Sequence, residues 1–324
     1  MIEGFADTRE RLKKRAQALQ TLRAFFYARS VLEVDTPMLS AAATPDVHLH
    51  SLSSQVRWPG ERAPRRLYWH TSPEYPMKRL LCAGSGDIFY LGKVFRDGDI
   101  GQRHQVEFTL LEWYRLGFDL EAIMAETVAL VQTLLDDRPV EMISYEEAFA
   151  AYAGLEGIHN ANAETCQACL NAHKVPKVVG VAADDKPLWE QLVLTEIIEP
   201  QLGQGRITCL YHYPARDAAL AQIHPQDGRL ARRFEVFVEG MELANGYQEL
   251  QDAAEYQRRF QADLMRRDEA GLPQVPLDEA LLQALAQQGL PPCSGVALGV
   301  DRLLMARLGA SDIRAVLPFA IEQA

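Results

Sequence analysis

Residues 88–114 read Ile88-Phe89-Tyr90-Leu91-Gly92-Lys93-Val94-Phe95-Arg96-Asp97-Gly98-Asp99-Ile100-Gly101-Gln102-Arg103-His104-Gln105-Val106-Glu107-Phe108-Thr109-Leu110-Leu111-Glu112-Trp113-Tyr114. Ile88 to Leu91 is a compact apolar run, and Lys93 to Arg96 continues it. A polar stretch from Asp97 to Gln105 follows, and then a second apolar run from Phe108 to Tyr114. Two strand-like runs around a polar tip predict an antiparallel hairpin with a long loop.

On the amino-terminal side, Leu12, Ala16, Leu19, Leu22 and Phe26 recur at spacings of three and four. That spacing predicts an amphipathic helix over 9–29. Residues 31–35 alternate like a strand and stop at Pro37. The stretch 68–79 begins strand-like and becomes helical around Met77-Lys78-Arg79-Leu80-Leu81. On the carboxyl-terminal side, Asp119 caps a helix that runs to Leu135. Residues 141–205 are expected to be a helical insertion. Strands follow over 207–213, 234–238 and 241–249, the last two antiparallel around Gly240. Helices over 252–267 and from Asp278 to near Gly289 precede a strand over 294–299 and a helix over 301–308. Helices around a mostly antiparallel sheet predict an α+β fold. No repeat or linker interrupts the chain, so a single domain over 1–324 is expected.

The chain has 324 residues and a formal net charge of −11, from 33 Lys and Arg against 44 Asp and Glu. Its 48% hydrophobic and 24% charged content is that of a globular chain and too apolar for disorder. No apolar run is long enough for a transmembrane helix. The opening Met1-Ile2-Glu3-Gly4-Phe5-Ala6-Asp7 lacks the basic-then-apolar order of a secretory signal. Five cysteines, an odd number, suit a reducing cytoplasm. The acidic balance lowers the expectation of nucleic-acid binding, which needs a basic face. There is no phosphate-binding Gly-x-x-x-x-Gly-Lys loop, and Cys166-x-x-Cys169 has no second pair at zinc spacing.

Three segments occur together: Leu32-Glu33-Val34-Asp35-Thr36-Pro37 after the opening helix, the 95–114 block, and Gly295-Val296-Ala297-Leu298-Gly299-Val300-Asp301-Arg302-Leu303. In that order they resemble motifs one, two and three of the class II aminoacyl-tRNA synthetases. The finer resemblance is to the lysyl enzymes. It rests on Thr71-Ser72-Pro73-Glu74 with Met77-Lys78-Arg79-Leu80, on Arg233-Phe234-Glu235, and on Glu242-Leu243-Ala244-Asn245-Gly246. The motif-one helix begins near Met1, so no anticodon-binding domain is expected ahead of it. A bare lysyl-type catalytic domain resembles the elongation factor P lysine ligase family. Those enzymes attach (R)-β-lysine to a lysine of elongation factor P.

The resemblance implies a class II antiparallel sheet flanked by helices, ATP as substrate, and Mg²⁺. It implies an acidic pocket of Glu74, Glu112 and Glu249, with Ser72, Pro73, Tyr114, Asn245, Tyr247 and Ala297 around the amino acid. Carboxylates suit a substrate with two ammonium groups, each charge-assisted hydrogen bond contributing roughly 1.5–3 kcal/mol. For ATP it implies Arg96 at the α-phosphate and Phe108 against adenine. Arg302 would cover the other face of the base and reach the γ-phosphate. Arg103 and His104 would lie on the closing loop, with Asp97, Gly98, Glu242, Leu243 and Gly299 lining the nucleotide. Glu235 and Glu242, seven apart across the Gly240 turn, match the family's magnesium carboxylates, and hard oxygen ligands are what Mg²⁺ takes.

Three positions depart from the lysyl pattern. Gly98 stands where motif two usually has Glu, Tyr247 where Phe is usual, and Ala297 at the centre of motif three, as in the elongation factor P ligases. The reading is therefore a cytoplasmic, dimeric ligase that adenylates (R)-β-lysine or lysine and modifies elongation factor P, with neither tRNA nor membrane as partner. Two alternatives stay open: an enzyme that charges tRNA or a small amine with lysine, and an inactive binding module.

Overall fold

A computed structural model describes residues 5–323. In chain order the helices are α1 (Phe5–Tyr27), α2 (Glu74–Cys82), α3 (Leu120–Leu135), α4 (Tyr145–Ala153), α5 (Ala163–Ala172), α6 (Lys186–Val193), α7 (Ala253–Glu269), α8 (Glu279–Gln287) and α9 (Val300–Leu308). The strands are β1 (Leu32–Glu33), β2 (Leu39–Ser40), β3 (Ser53–Val56), β4 (Arg65–Trp69), β5 (Ile88–Phe95), β6 (Glu107–Leu116), β7 (Val140–Ser144), β8 (Ile207–Tyr211), β9 (Arg233–Val238), β10 (Met241–Gln248) and β11 (Cys293–Gly299). No helix among the described residues is long and apolar enough to cross a membrane. The chain forms two compact units. One is Met124–Tyr247, and the other holds the described residues on either side of it.

In the flanking unit the expected hairpin is present. β5 and β6 pair antiparallel from Ile88↔Tyr114 to Phe95↔Glu107. β11 pairs antiparallel with the other edge of β6, from Cys293↔Leu116 to Gly299↔Leu110. β1 adds parallel to β5, through Leu32↔Ile88 and Glu33↔Phe89. Side chains alternate across a strand, and cross-strand partners share a face. One face of this sheet therefore carries Phe108, Leu110, Glu112 and Tyr114 of β6 with Gly295, Ala297 and Gly299 of β11. The opposite face meets α1, where the Phe26 ring stacks on Phe89 at 4.7 Å and lies 5.3 Å from Trp113.

The buried side of α1 shares Leu22 and Phe26 with the stripe its apolar spacing predicts and departs from it in the earlier turns. Ala18, Leu22, Phe25 and Phe26 are buried with Arg15, while Leu12 and Ala16 are exposed. Arg15 fixes this rotation. Its Nη1 donates to Asp301 Oδ1 at 2.6 Å and its Nη2 to Thr109 Oγ1 at 2.6 Å. The second oxygen of Asp301 accepts from the Thr109 backbone N–H at 2.7 Å. One buried carboxylate thus holds α1, β6 and α9 together. β2, β3 and β4 form a separate small sheet in the order β2-β4-β3. α7 and α8 start where expected, because Asp252 and Asp278 each accept backbone N–H groups of their first turns.

In the Met124–Tyr247 unit the strand order is β10-β9-β8-β7. β9 and β10 form the expected hairpin, with Glu239 and Gly240 at its tip. Both tip residues have positive φ, 51° and 65°, as a two-residue type I′ turn requires. The span 141–205 is helical from Tyr145 onward, but its first residues are the strand β7, which runs parallel to β8. The helices enclose Tyr145, Phe149, Cys166, Cys169, Ile198 and Leu210 in one apolar core. The two cysteines of the Cys166-x-x-Cys169 pair are core side chains.

Removing one member of a buried ion pair leaves the other uncompensated, at about 3–5 kcal/mol. Asp301→Ala is therefore expected to lower unfolding stability by about that amount. Denaturant titration of the variant against the parent measures it.

Candidate active site

The acidic residues expected at the pocket meet on the Glu112–Tyr114 face. Glu112 is buried and takes two short bonds, from Ser72 Oγ at 2.5 Å and from the Tyr114 hydroxyl at 2.7 Å. Ser72 also accepts the Glu74 backbone N–H at 3.0 Å, which ties the start of α2 to the same acid. Pro73 occupies the N-cap of α2. Glu249 follows directly after β10 and is buried; its backbone N–H donates to the Cys293 carbonyl at 3.0 Å. Glu74, Glu112 and Glu249 thus belong to one cluster.

A fourth charged residue, not expected from the sequence, lies inside it. The Lys78 ammonium is fully buried and stands 2.6 Å from Glu74 Oε1 and 2.6 Å from Glu249 Oε2. Burial alone would lower its pKa, but the charges of Glu249 and Glu74 outweigh burial and hold it well above the ordinary value. Burial, reinforced by the Glu74 charge, pushes Glu112 up to about 8, against the pull of its bonds from Ser72 and Tyr114. Burial likewise raises Glu249. The available sequence signal was helical spacing: Glu74 and Lys78 are four apart on α2.

Room over these acids comes from β11. Gly295 lies opposite Tyr114, and a Cβ there would meet the Tyr114 ring and stand 2.6 Å from Glu249 Oε1. Ala297 lies opposite Glu112, so its methyl is the floor next to that carboxylate. Gly299 ends β11 and is the N-cap of α9.

The expected nucleotide residues gather at the far end of the same face. The Arg96 guanidinium lies over the Phe108 ring, 5.0 Å from its centroid. Arg302 follows Asp301, whose carboxylate binds the backbone of Thr109, the neighbour of Phe108. Arg302 bonds to His104 Nε2 and to the Arg103 carbonyl, so it is docked on the 97–105 loop. The loop is anchored by the Asp97 N–H to the His50 carbonyl at 2.8 Å and by the Ile313 N–H to the Gln102 carbonyl at 2.8 Å. Gly98 has φ +83°, a conformation that a Glu there would adopt only under strain.

In the Met124–Tyr247 unit, Glu235 and Glu242 share the hairpin, and the charge of Glu242 adds to the raising of the buried Glu235. One oxygen of Glu235 accepts from Arg233 Nη2 at 2.5 Å and from Asn245 Nδ2 at 3.3 Å, and the other from the Tyr213 hydroxyl at 2.6 Å. These three bonds leave one of the carboxylate's roughly four acceptor sites for a cation. The expected metal pair of Glu235 and Glu242 lies on this one hairpin. Asn245, expected at the amino acid, is held by Glu235. Leu243 is buried at a bulge where the register passes from Glu242↔Phe237 to Ala244↔Val236. Tyr247 pairs with Arg233 in the same ladder. Among the described residues no group of three or more His, Cys, Asp or Glu side chains is arranged to hold a metal.

Residues 5–323 match the family of class II tRNA synthetases (D, K and N). The chain belongs to that family. Within it, this chain is 44% identical over 313 residues to the elongation factor P–(R)-β-lysine ligase of Salmonella gallinarum, covering 97% of this chain and 95% of the relative. Ligases of the same name from Salmonella paratyphi B and Salmonella schwarzengrund are each 44% identical over 314 residues, with the same coverage. The class II fold puts the hairpin of motif two and the strand of motif three side by side, as β5, β6 and β11 are here.

Two outcomes are expected from this geometry. Gly295→Ala would force the Tyr114 ring or Glu249 to move, a strain of about 1–3 kcal/mol. Calorimetric titration should show lysine binding weakened by about tenfold to a hundredfold. The second concerns pH. A carboxyl raised to about 8 is protonated in the empty folded protein, so ionising it costs stability as pH climbs from the ordinary carboxylate range to about 8. An ammonium ligand offsets that cost. The rise in melting temperature caused by lysine should therefore grow as pH approaches about 8 and level off above it. Glu112→Gln should flatten this dependence.

Proposed function

We propose that this class II enzyme is an ATP-dependent ligase that activates (R)-β-lysine as its adenylate and transfers it to a lysine ε-amino group of elongation factor P. The observation that carries the reading is the near full-length match to ligases of that name. The acid cluster supports the substrate class. Glu74 and Glu249, anchored on one buried ammonium, and Glu112 offer carboxylates to an amino acid with two ammonium groups.

The roles follow from chemistry. Glu74, Glu112 and Glu249, with Ser72, Pro73 and Tyr114, receive the amino acid, and Ala297 sets the floor beside Glu112. Asn245 and Tyr247 are assigned to the same substrate. The substrate carboxylate attacks the α-phosphorus of ATP in line, and pyrophosphate leaves. Arg96 neutralises the α-phosphate and Arg302 the γ-phosphate, so positioning and charge carry the step. Phe108 offers a face to adenine. Asp97, Gly98, Arg103 and His104 form the covering loop, and Leu243 and Gly299 line the nucleotide. Mg²⁺ bound with the triphosphate would neutralise its charge, and Glu235 and Glu242 are the carboxylates assigned to hold it. The acceptor amine then attacks the mixed anhydride and releases AMP.

Ala297 favours the β-amino acid only partially. One methyl is worth about 1–3 kcal/mol of discrimination. The exposed apolar side chains Leu12, Tyr27, Leu32 and Met38, on and after α1, support a homodimer through motif one. The net charge of −11 argues for a protein acceptor over tRNA. The enzyme is assigned to the cytoplasm.

ATP–pyrophosphate exchange should proceed with (R)-β-lysine, less well with α-lysine, and not without an amino acid. Label should then pass to elongation factor P and not to tRNA. Absence of exchange with every amino acid tested would favour the inactive module, and transfer to tRNA alone would favour the charging enzyme. Arg302→Ala should abolish exchange; a parental rate in that variant refutes its assignment.

A further inference from the structure

Lys78 has no part in the activation step, yet it is the most completely enclosed charge in the cluster. Its side chain has no solvent exposure. Glu74 and Glu249 each contact its ammonium at 2.6 Å. The rings of Tyr256 and Tyr114 flank it, with centroids at 5.4 Å and 6.0 Å. Burying an ammonium is costly unless it is paired and hydrogen-bonded, so these partners are required by the fold. They are also required of each other. Glu74 comes from α2 and Glu249 from the segment after β10, and Lys78 is the group that binds both.

We infer that Lys78 is a positioning residue for the amino-acid pocket: its ammonium fixes Glu74 and Glu249 in the one arrangement that receives the substrate. This rests on the proposed amino-acid activation and adds the group that holds its acidic residues in place.

Calorimetric titration of the full chain with (R)-β-lysine, α-lysine and ATP tests the inference directly. It needs no turnover, so it is separate from the exchange assay that tests activation itself. Lys78→Met is expected to weaken binding of both lysines by roughly 10- to 100-fold, as loss of a charge-assisted anchor implies. ATP binding should stay within about twofold, a split that general loss of structure would not produce. Unchanged lysine affinity in folded Lys78→Met overturns the inference. Should that variant fail to fold, Lys78→Met/Glu249→Gln, which removes the uncompensated carboxylate, is compared with Glu249→Gln alone. In the single variant Lys78 still holds Glu74, so the double variant should bind lysine more weakly. Equal affinities of the two overturn the inference.

Discussion

The buried carboxylate of Asp301 is the constraint on which the geometry of the flanking unit rests. It takes a guanidinium from the first helix and a backbone N–H from the central strand, and it belongs to the helix that carries Arg302. Two oxygens thereby fix the rear helix, the strand bearing the acidic face and the arginine docked on the motif-two loop. Such a pair is a poor source of net stability, because desolvation offsets much of the attraction. Its value lies in direction. A hydrophobic contact between α1 and the sheet would tolerate rotation, whereas Arg15 accepts one orientation, with its two nitrogens on Asp301 and Thr109.

The acid cluster follows the same logic in a different place. Glu112 is held by hydroxyls, Glu74 and Glu249 by an ammonium. All of these partners are built into the fold, so the carboxylates need not rearrange when a cationic substrate arrives. Preorganised charge of this kind is effective in a site that excludes water. In the Met124–Tyr247 unit the same economy applies to Glu235, whose oxygens accept from Arg233, Tyr213 and Asn245.

Much of this was legible in the sequence, and the exceptions have physical causes. The β5–β6 hairpin and the helix starts at Asp119, Asp252 and Asp278 are local features, set by alternation and capping over a few residues, and they form as expected. The gathering of Glu74, Glu112 and Glu249 followed from family motifs, since nothing local links positions that far apart. What local reading missed was pairing at a distance. On α1 the expected Leu22 and Phe26 are buried but Leu12 and Ala16 are not, because Arg15, a residue that ordinarily faces solvent, is turned inward by Asp301. Lys78 reads as a surface residue within Met77-Lys78-Arg79 and is buried only because Glu249 arrives from the other end of the unit. The strands β2, β3 and β4 are short, and Ser53–Val56 and Arg65–Trp69 carry too many polar residues to show a period. Glu235 had a nearer signal: Arg233 is two positions away on the same strand face.

The run of Gly295, Ala297 and Gly299 has a consequence for how this scaffold changes over evolutionary time. Cross-strand partners Tyr114, Glu112 and Leu110 set the ceiling of each step, and the three small residues set its depth. Glycine has nothing left to lose, so at two of the three steps every exchange adds atoms. Only position 297 can therefore lose a methyl as well as gain atoms, while at position 295 any added carbon runs into the Tyr114 ring and Glu249.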